Sequence, residues 1–379
     1  MGSDLLTLAL CGDVMLGRGV DQILPRPGDP RLCEPYAGDA RGYVILAEET
    51  SGTIPRPVGF DWPWGDALSV LRETAPDVRV VNLETAVTRS GDVAPGKSVH
   101  YRMNPENLPG LLVTRPDVCV LANNHVLDFG ERGLVETLDV LARAGLRTAG
   151  AGRDEEEAWR PAVVQAGAGR RVLVFAFGMP SSGSPPDWAA GPGRPGVAYV
   201  PAPSPERAAE IGERVRRARR PGGSGDAGDA GDADTVVASV HWGSNWGYEV
   251  PRDHIRFAHI LIDSGVDVVH GHSSHHPRPV ERYGDGLVLY GCGDLIDDYE
   301  GIPGYEEYRD ELRLLYLVTL GDGAPPRLRM VPLRARRMRL ERAGREDAEW
   351  LAAMLDRTGR RLGSRVGLGA DGMLALRAG

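Results

Sequence analysis

Six polar residues of metal-binding type stand at the ends of short apolar runs. Asp13 follows Leu5 to Leu10 by way of Cys11 and Gly12. Glu84 closes Val78 to Leu83, and Asn124 comes just after Val118 to Ala122. His241 ends Val236 to Val240, and His270 and His272 leave Val266 to Val269. Carboxylates, an amide oxygen and imidazoles are the usual ligands of Mn, Fe or Zn class ions. Taken singly, each has an ordinary reading. An Asp after Gly is commonly a turn residue, and a lone His beside a strand commonly makes only a hydrogen bond. Six of them at matching places are harder to read that way. His270 and His272, two apart on a strand exit, are expected to reach two ions on one side.

These residues need strands to gather them. Short Val-rich runs read as strands buried on both faces, with helices between them. A sixth run, Leu287 to Tyr290, ends at Gly291-Cys292-Gly293-Asp294. Leu134 to Ala144 carries Leu134, Leu138 and Leu141 on one stripe and stops at Gly145, a C-cap residue. Asp253 to Ser264 repeats the pattern before Gly265. The expected class is α/β. In open α/β sheets ligands collect at the carboxyl ends of strands, where the six residues lie.

The rest of the chain reads as follows. Residues 1–322 are expected to form the main domain. Residues 323–379 add a strand (Arg327 to Leu340) and an amphipathic helix (Arg345 to Leu362) packed on the same domain. Gly222 to Asp234 is a Gly/Asp-rich, mobile surface loop. Arg214 to Arg220 before it reads as the solvated end of a helix. Pro180 to Gly196 is too rich in Pro and Gly for a regular element, and suits a substrate lid or a surface excursion equally.

Composition narrows the classes of function. The 379 residues are 42% hydrophobic and 26% charged, ordinary for a soluble enzyme. Lys and Arg number 44 against 53 Asp and Glu, a net charge of −9. That balance argues against a nucleic-acid partner. Cys11, Cys33, Cys119 and Cys292 form no CxxC pair, which suggests a reducing, cytoplasmic setting. The first apolar run is too short for a signal peptide or membrane anchor.

The motifs carry a resemblance. They are Gly12-Asp13-Val14-Met15-Leu16-Gly17-Arg18, Asn82-Leu83-Glu84-Thr85, Ala122-Asn123-Asn124-His125-Val126-Leu127-Asp128, His241-Trp242-Gly243, and Gly271-His272 with His275-His276-Pro277. In this order, over residues 8 to 300, the chain resembles the CapA family of poly-γ-glutamate capsule biosynthesis proteins. That family is similar to the calcineurin-like metallophosphoesterases. The resemblance implies a metallophosphatase-like sandwich of two mixed β-sheets flanked by helices, with two divalent ions at one sheet edge. Asp13 and His272 would bind one ion. Asn124, His241 and His270 would bind the other, and Glu84 would bridge. Mn, Fe, Zn, Mg and Ca are not distinguished. His125 takes the position of the phosphoesterase proton-transfer His, with Asp128 to orient it. Met15 stands where that superfamily has a further His ligand, so the first ion loses a ligand. His275 and His276 are spare imidazoles, and the acid/base candidates are His125, Asp128, His275 and His276. Trp62, Trp64, Trp242, Trp246 and Tyr248 would line a pocket or fill the core.

Such a site allows three readings. The favoured expectation is epimerisation of a peptide Cα centre, at the C-terminal residue of a lasso-peptide precursor, through a metal-stabilised enolate. The alternative is a metal-dependent phosphoesterase or other hydrolase of the CapA family, including one acting on poly-γ-glutamate. A degenerate site serving only to bind is the non-enzymatic reading. A peptide substrate is expected, with neither nucleic acid nor membrane as partner.

Overall fold

The computed structural model describes residues 5–219, 234–321 and 323–377. The main strands in chain order begin with β1 (Leu6–Val14), β2 (Val78–Leu83), β3 (Val118–Val120) and β4 (Arg147–Ala149). Then come β5 (Ala162–Gln165), β6 (Arg171–Gly178), β7 (Asp234–His241), β8 (Val268–His272), β9 (Val280–Tyr283) and β10 (Gly286–Leu289). The last are β11 (Asp294–Ile296), β12 (Leu312–Gly321), β13 (Ala324–Ala335), β14 (Leu340–Arg342), β15 (Val366–Leu368) and β16 (Leu374–Leu376). The longer helices are α1 (Gly130–Arg143), α2 (Pro205–Arg219), α3 (Arg252–Asp263) and α4 (Arg345–Gly359).

The strands form two mixed sheets. The first runs β15-β16-β13-β12-β1-β2-β3-β4, with β11 added beside β1 and β14 beside β13. Within it β1 to β4 are parallel, and β12 is antiparallel to β1. The second runs β9-β10-β8-β7-β6-β5, parallel in the middle and antiparallel at both edges. This is the expected α/β sandwich of two mixed sheets flanked by helices.

Side-chain alternation explains the layering. On β7 and β8, Val237 and Val268 face inward and share a core with Leu8, Leu10, Val80 and Val118 of the first sheet. Val236, Ala238, Val240 and Val269 face outward and pack under Ile211 and Val215 of α2 and Phe257 and Leu261 of α3. Each strand is therefore apolar on both faces, which is why these runs lack polar alternation. The inward face of β7 continues from Val237 through Ser239 to His241, so polar chemistry starts where the apolar core stops.

Both expected helix stops hold. At Gly145 (φ 75°) and Gly265 (φ 101°) the chain turns left-handed. The amides of Gly145 and Leu146 then reach back to Ala142 and Leu141, and those of Gly265 and Val266 to Ile262 and Leu261.

Some boundaries differ from expectation. Asp234, expected to close the Gly/Asp-rich loop, opens β7 and pairs with Arg171 at 2.5 Å; residues 222–233 lie outside the described residues. The expected strand Arg327 to Leu340 breaks after Ala335 and resumes at Leu340, with Arg337 and Met338 at positive φ between. The segment beyond residue 323 enters the first sheet, since β13 pairs with β12 along nearly its whole length. Helix α2 carries the Arg-rich stretch to Arg219, with Arg216 and Arg217 exposed. Pro180 to Gly196 holds two short turns, Pro180–Ser182 and Pro186–Trp188.

Candidate metal centre

Strand register builds the site. On the parallel neighbours β7 and β8, Ser239 is paired with His270 and His241 with His272. On β1 the register shifts between Cys11 and Asp13, setting Asp13 beside Asn82 of β2 and Asp294 of β11. Gly12 permits this approach, because a Cβ there would lie 1.8 Å from the Gly293 carbonyl oxygen. The Asn82 amide donates to Asp13 Oδ1 (2.7 Å) and the Ser273 N–H to Oδ2 (3.0 Å).

Asp13, His241 and His272 each offer one ligand atom within 4.8 Å of the others, all buried. His272 Nδ1 is 3.8 Å from Asp13 Oδ1 and 2.7 Å from His241 Nδ1. His241 Nε2 is 2.9 Å from Asn124 Oδ1 and 3.7 Å from Glu84 Oε1. Five of the six residues expected from sequence thus come together. His270 does not join them. Its Nε2 lies 2.9 Å from the Cys11 carbonyl oxygen and its Nδ1 3.1 Å from Ser239 Oγ, so both nitrogens are engaged behind the cluster. The reason is depth along the strand: His270 shares the inward face of His272 but sits one register pair earlier, against the Cys11 carbonyl of β1.

The electrostatics favour a cation. Burial, then the neighbouring Asp294, pushes the Asp13 carboxyl up to about 7. Burial and Asp13 drive Glu84 well above its usual range. Burial holds His241 and His272 well below the usual imidazole value, and His270 down to about 4. Protons are also short. From the Cys11 carbonyl through His270, Ser239, His272 and His241 to Asn124 Oδ1 run five close contacts. Three neutral imidazoles and one hydroxyl supply four protons, which leaves one contact between two lone pairs. Glu84 Oε2 and Asp294 Oδ1 are buried without a protein partner. Bare acceptors of this kind are costly unless a cation or water satisfies them. The donor set of carboxylates, imidazoles and an amide oxygen fits a divalent ion.

The acid/base candidates divide. His125 Nδ1 is 2.6 Å from Asp128 Oδ2, and its Nε2 faces Glu84 Oε1 at 3.9 Å. Asp128 also accepts from the Tyr101 N–H (2.7 Å) and from Lys97, which donates to the Asn124 carbonyl as well. Burial pushes His125 down to about 4 against the pull of Asp128. His275 Nδ1 lies 2.9 Å from Asp294 Oδ2. Burial works against its charged form, but Asp294 outweighs it and holds His275 above the usual value. His276 is turned away. Its ring packs on Tyr308 at 4.5 Å, and its Nδ1 is 3.1 Å from the Pro277 carbonyl oxygen.

A cavity of about 670 Å³ opens above the cluster. Its wall includes Met15, Arg18, Tyr43, Leu46, Glu84, Lys97, Tyr101, Asn124, His125, Ser273, His275 and Tyr299. Asp13, His241, His272 and His276 are not in that wall. The aromatic residues read as pocket-lining or core are absent from this wall. Trp64 and Trp242 are core, Trp62 donates to the Arg337 carbonyl, Trp246 stacks on Tyr305, and Tyr248 lies beside Tyr308. Of Pro180 to Gly196, Gly183 alone reaches the cavity.

Sequence reading missed several contributors. Asp294 ends the sixth apolar run as the other ligand candidates end theirs, and that signal was available. Asn82 and Ser239 stand two residues before Glu84 and His241, hence on the same strand face. Lys97 comes from an irregular loop and carries no sequence signal.

The family model described as "Bacterial capsule synthesis protein PGA_cap" matches residues 7–299. The chain belongs to this family. A probable polyglutamine synthesis accessory protein of Mycobacterium tuberculosis is 52% identical over 375 residues, covering 98% of this chain and 96% of that protein. The PGA biosynthesis protein CapA of Bacillus subtilis is 24% identical over 314 residues, covering 83% of this chain and 68% of that protein. Among solved structures, the chain is similar to the Thermus thermophilus sulfate thiohydrolase SoxB, with 14% identity and a TM-score of 0.45, covering 92% of this chain and 60% of that one. Among the described residues, no helix is long and apolar enough to cross a membrane.

Proposed function

We propose that this PGA_cap family member is a divalent-metal-dependent hydrolase acting on a glutamate polymer or its fragments. The observation that carries the reading is the His125–Asp128 pair, whose free Nε2 shares a cavity with Glu84 and Asn124 directly above the carboxylate–imidazole cluster. The substrate class is drawn from the names of the relatives, a polyglutamine synthesis accessory protein and a PGA biosynthesis protein. A peptide-like substrate fits this reading, and so does a cytoplasmic setting, supported by cysteines without close pairing.

Asp13, His241 and His272, with Glu84 and Asn124, would hold the metal, and the proposal includes two ions. A bound divalent cation supplies Lewis acidity and an acidified water. His125, neutral at rest, takes a proton from the attacking water and returns it to the leaving nitrogen. Asp128 orients the ring and stabilises its charged form. Lys97 ties Asp128 to the Asn124 backbone, so acid/base group and ligand keep one spacing. Water adds across the amide as the C–N bond breaks.

The test is incubation of purified protein, with Mn²⁺ or Zn²⁺ in separate arms, with poly-γ-glutamate, α-linked polyglutamate and an aryl phosphate. Metal-dependent chain shortening that disappears in His125→Ala is the expected result. Turnover of the aryl phosphate alone would favour the phosphoesterase reading. Deuterium uptake at Cα from heavy water without shortening would favour the epimerase reading, for which His125 and His275 are the acid/base groups left in the cavity wall. No metal-dependent change in any substrate overturns the proposal.

A further inference from the structure

We propose that Ser239 and His270 are positioning residues that lock His272 with an unprotonated Nδ1 aimed into the metal cluster. This rests on the metal-centre reading above and extends it to two residues that touch no ligand atom of the cluster except through His272.

The direction of the lock follows from its far end. Cys11 is the register partner of Val81 in the ladder between β1 and β2, so its backbone is held by strand pairing. A carbonyl can only accept, so the nitrogen 2.9 Å away, His270 Nε2, carries the proton. His270 is fully buried; its ring nitrogens meet this carbonyl and Ser239, and its ring lies edge-on to His272. With no carboxylate against it among the described residues, its ring stays neutral and its Nδ1 is a lone pair. The single Ser239 proton is placed on that lone pair, across 3.1 Å, so that the one contact of the relay without a proton falls at its cluster end, where a cation can take its place. Ser239 Oγ is then an acceptor for its other neighbour, His272 Nε2, at 2.8 Å. His272 therefore holds its proton on Nε2. Its Nδ1 is left bare, facing Asp13 Oδ1 and His241 Nδ1.

The arrangement is built by the fold. Ser239 and His270 are register partners on adjacent parallel strands, one pair before His241 and His272 on the same inward face. Cys11 comes from the other sheet, so the relay also pins one sheet to the other at the depth of the site. Without Ser239 the His272 ring loses the acceptor that selects its tautomer. The alternative tautomer would point an N–H into the space where a cation must sit. Partners that orient a metal-bound imidazole typically contribute about 10–100-fold to metal affinity.

The test has a readout that needs neither metal nor activity. Long-range ¹H–¹⁵N NMR on metal-free protein with labelled histidine reports which nitrogen of His272 carries the proton. Wild type is expected to show Nε2–H, and Ser239→Ala a mixture. Ser239→Thr, which keeps the hydroxyl, should restore the single form. Metal affinity, measured by competition with a fluorescent chelator, should fall about 10–100-fold in Ser239→Ala, with Ser239→Thr recovering most of it. Thermal unfolding of the metal-free variants separates this loss from a general loss of structure. A wild-type His272 protonated on Nδ1 overturns the lock even if Ser239→Ala does not fold. So does a folded Ser239→Ala with unchanged tautomer and affinity. A wild type that binds no divalent ion would instead sink the metal-centre reading, while the NMR result still judges the lock.

Discussion

The Nδ1 atoms of His241 and His272 lie 2.7 Å apart across adjacent parallel strands. Burial keeps both rings well below the usual imidazole pKa, so near neutral pH the pair shares at most one proton there. Asp13 approaches the same point from the other sheet. Two lone-pair donors and a carboxylate converging in a dry interior form a site whose natural occupant is a cation.

Metal content should therefore follow these residues. Asp13→Asn is expected to lose the bound ion, with the metal-to-chain ratio after exhaustive dialysis falling at least about tenfold. His276→Gln should keep the wild-type ratio, because the His276 ring packs on Tyr308 and its Nδ1 lies against the Pro277 carbonyl oxygen, away from the cluster. Elemental analysis of the purified variants decides. Equal loss in both would mean that the site is not where the cluster stands.

Metal uptake should depend on pH. Asp13 is raised to about 7, by burial first and Asp294 second, and Glu84 is raised too. A carboxyl must shed its proton to bind a cation, so uptake releases protons and tightens as pH rises toward 7. Affinity should grow by up to about tenfold per pH unit for each proton released. Calorimetry near pH 6.5 in buffers of different ionisation enthalpy measures that release. An affinity that stays flat from about pH 6 to 8 would contradict it. For the metal-free protein the sign is opposite: the fold keeps a proton on Asp13 that the unfolded chain sheds above 3.8. This group's contribution to stability falls as pH climbs toward 7, then levels off. Below 6.5 the buried, neutral His241 and His272 pull the other way, and stability drops as pH falls.

His125, the proposed acid/base residue, should respond to two neighbours in opposite directions. Asp128 raises the His125 pKa and Lys97 lowers it, while burial sets the overall depression. NMR titration of the His125 ring should show a higher pKa in Lys97→Met and a lower one in Asp128→Asn. If polymer cleavage is confirmed, Asp128→Asn should cut kcat by roughly 10²-fold or more, as expected when a general acid/base loses its orienting partner. A shift of the same sign in both variants would mean that the local charges do not act on His125 as placed.

Gly12→Ala should cost stability and the site together. The added Cβ would fall 1.8 Å from the Gly293 oxygen and 3.2 Å from the Cys292 Cβ. Overpacking against fixed backbone is expected to destabilise by at least about 2 kcal/mol. Denaturant unfolding of the metal-free variant measures it. A loss below about 0.5 kcal/mol would mean that the β1–β11 contact can spread without cost.

Much of the fold was legible because burial on both faces leaves a strong mark. The Val-rich runs at Val78, Val118 and Val236 have no polar alternation, and each is a central parallel strand. The stops at Gly145 and Gly265 were legible because each occupies a left-handed position that glycine fills without strain. The fate of the C-terminal segment was not. Its alternation marked a strand, but nothing local indicated that β13 would pair with β12 and extend the first sheet.

For the site, the sequence by itself determined the chemical types and their places at strand ends, because strand ends and residue identities are local properties. It could not separate His270 from His272, since two imidazoles two residues apart on one strand look equivalent in a string of letters. The tertiary structure decided between them: β1 crosses above β8 and puts a carbonyl against one ring and a carboxylate near the other. It also set His276 aside, turning it into an aromatic packing layer next to a neighbour, His275, that faces the cavity. These choices depend on which strand packs over which, a long-range relation set by burial of two apolar faces at once, and no spacing along the chain encodes it.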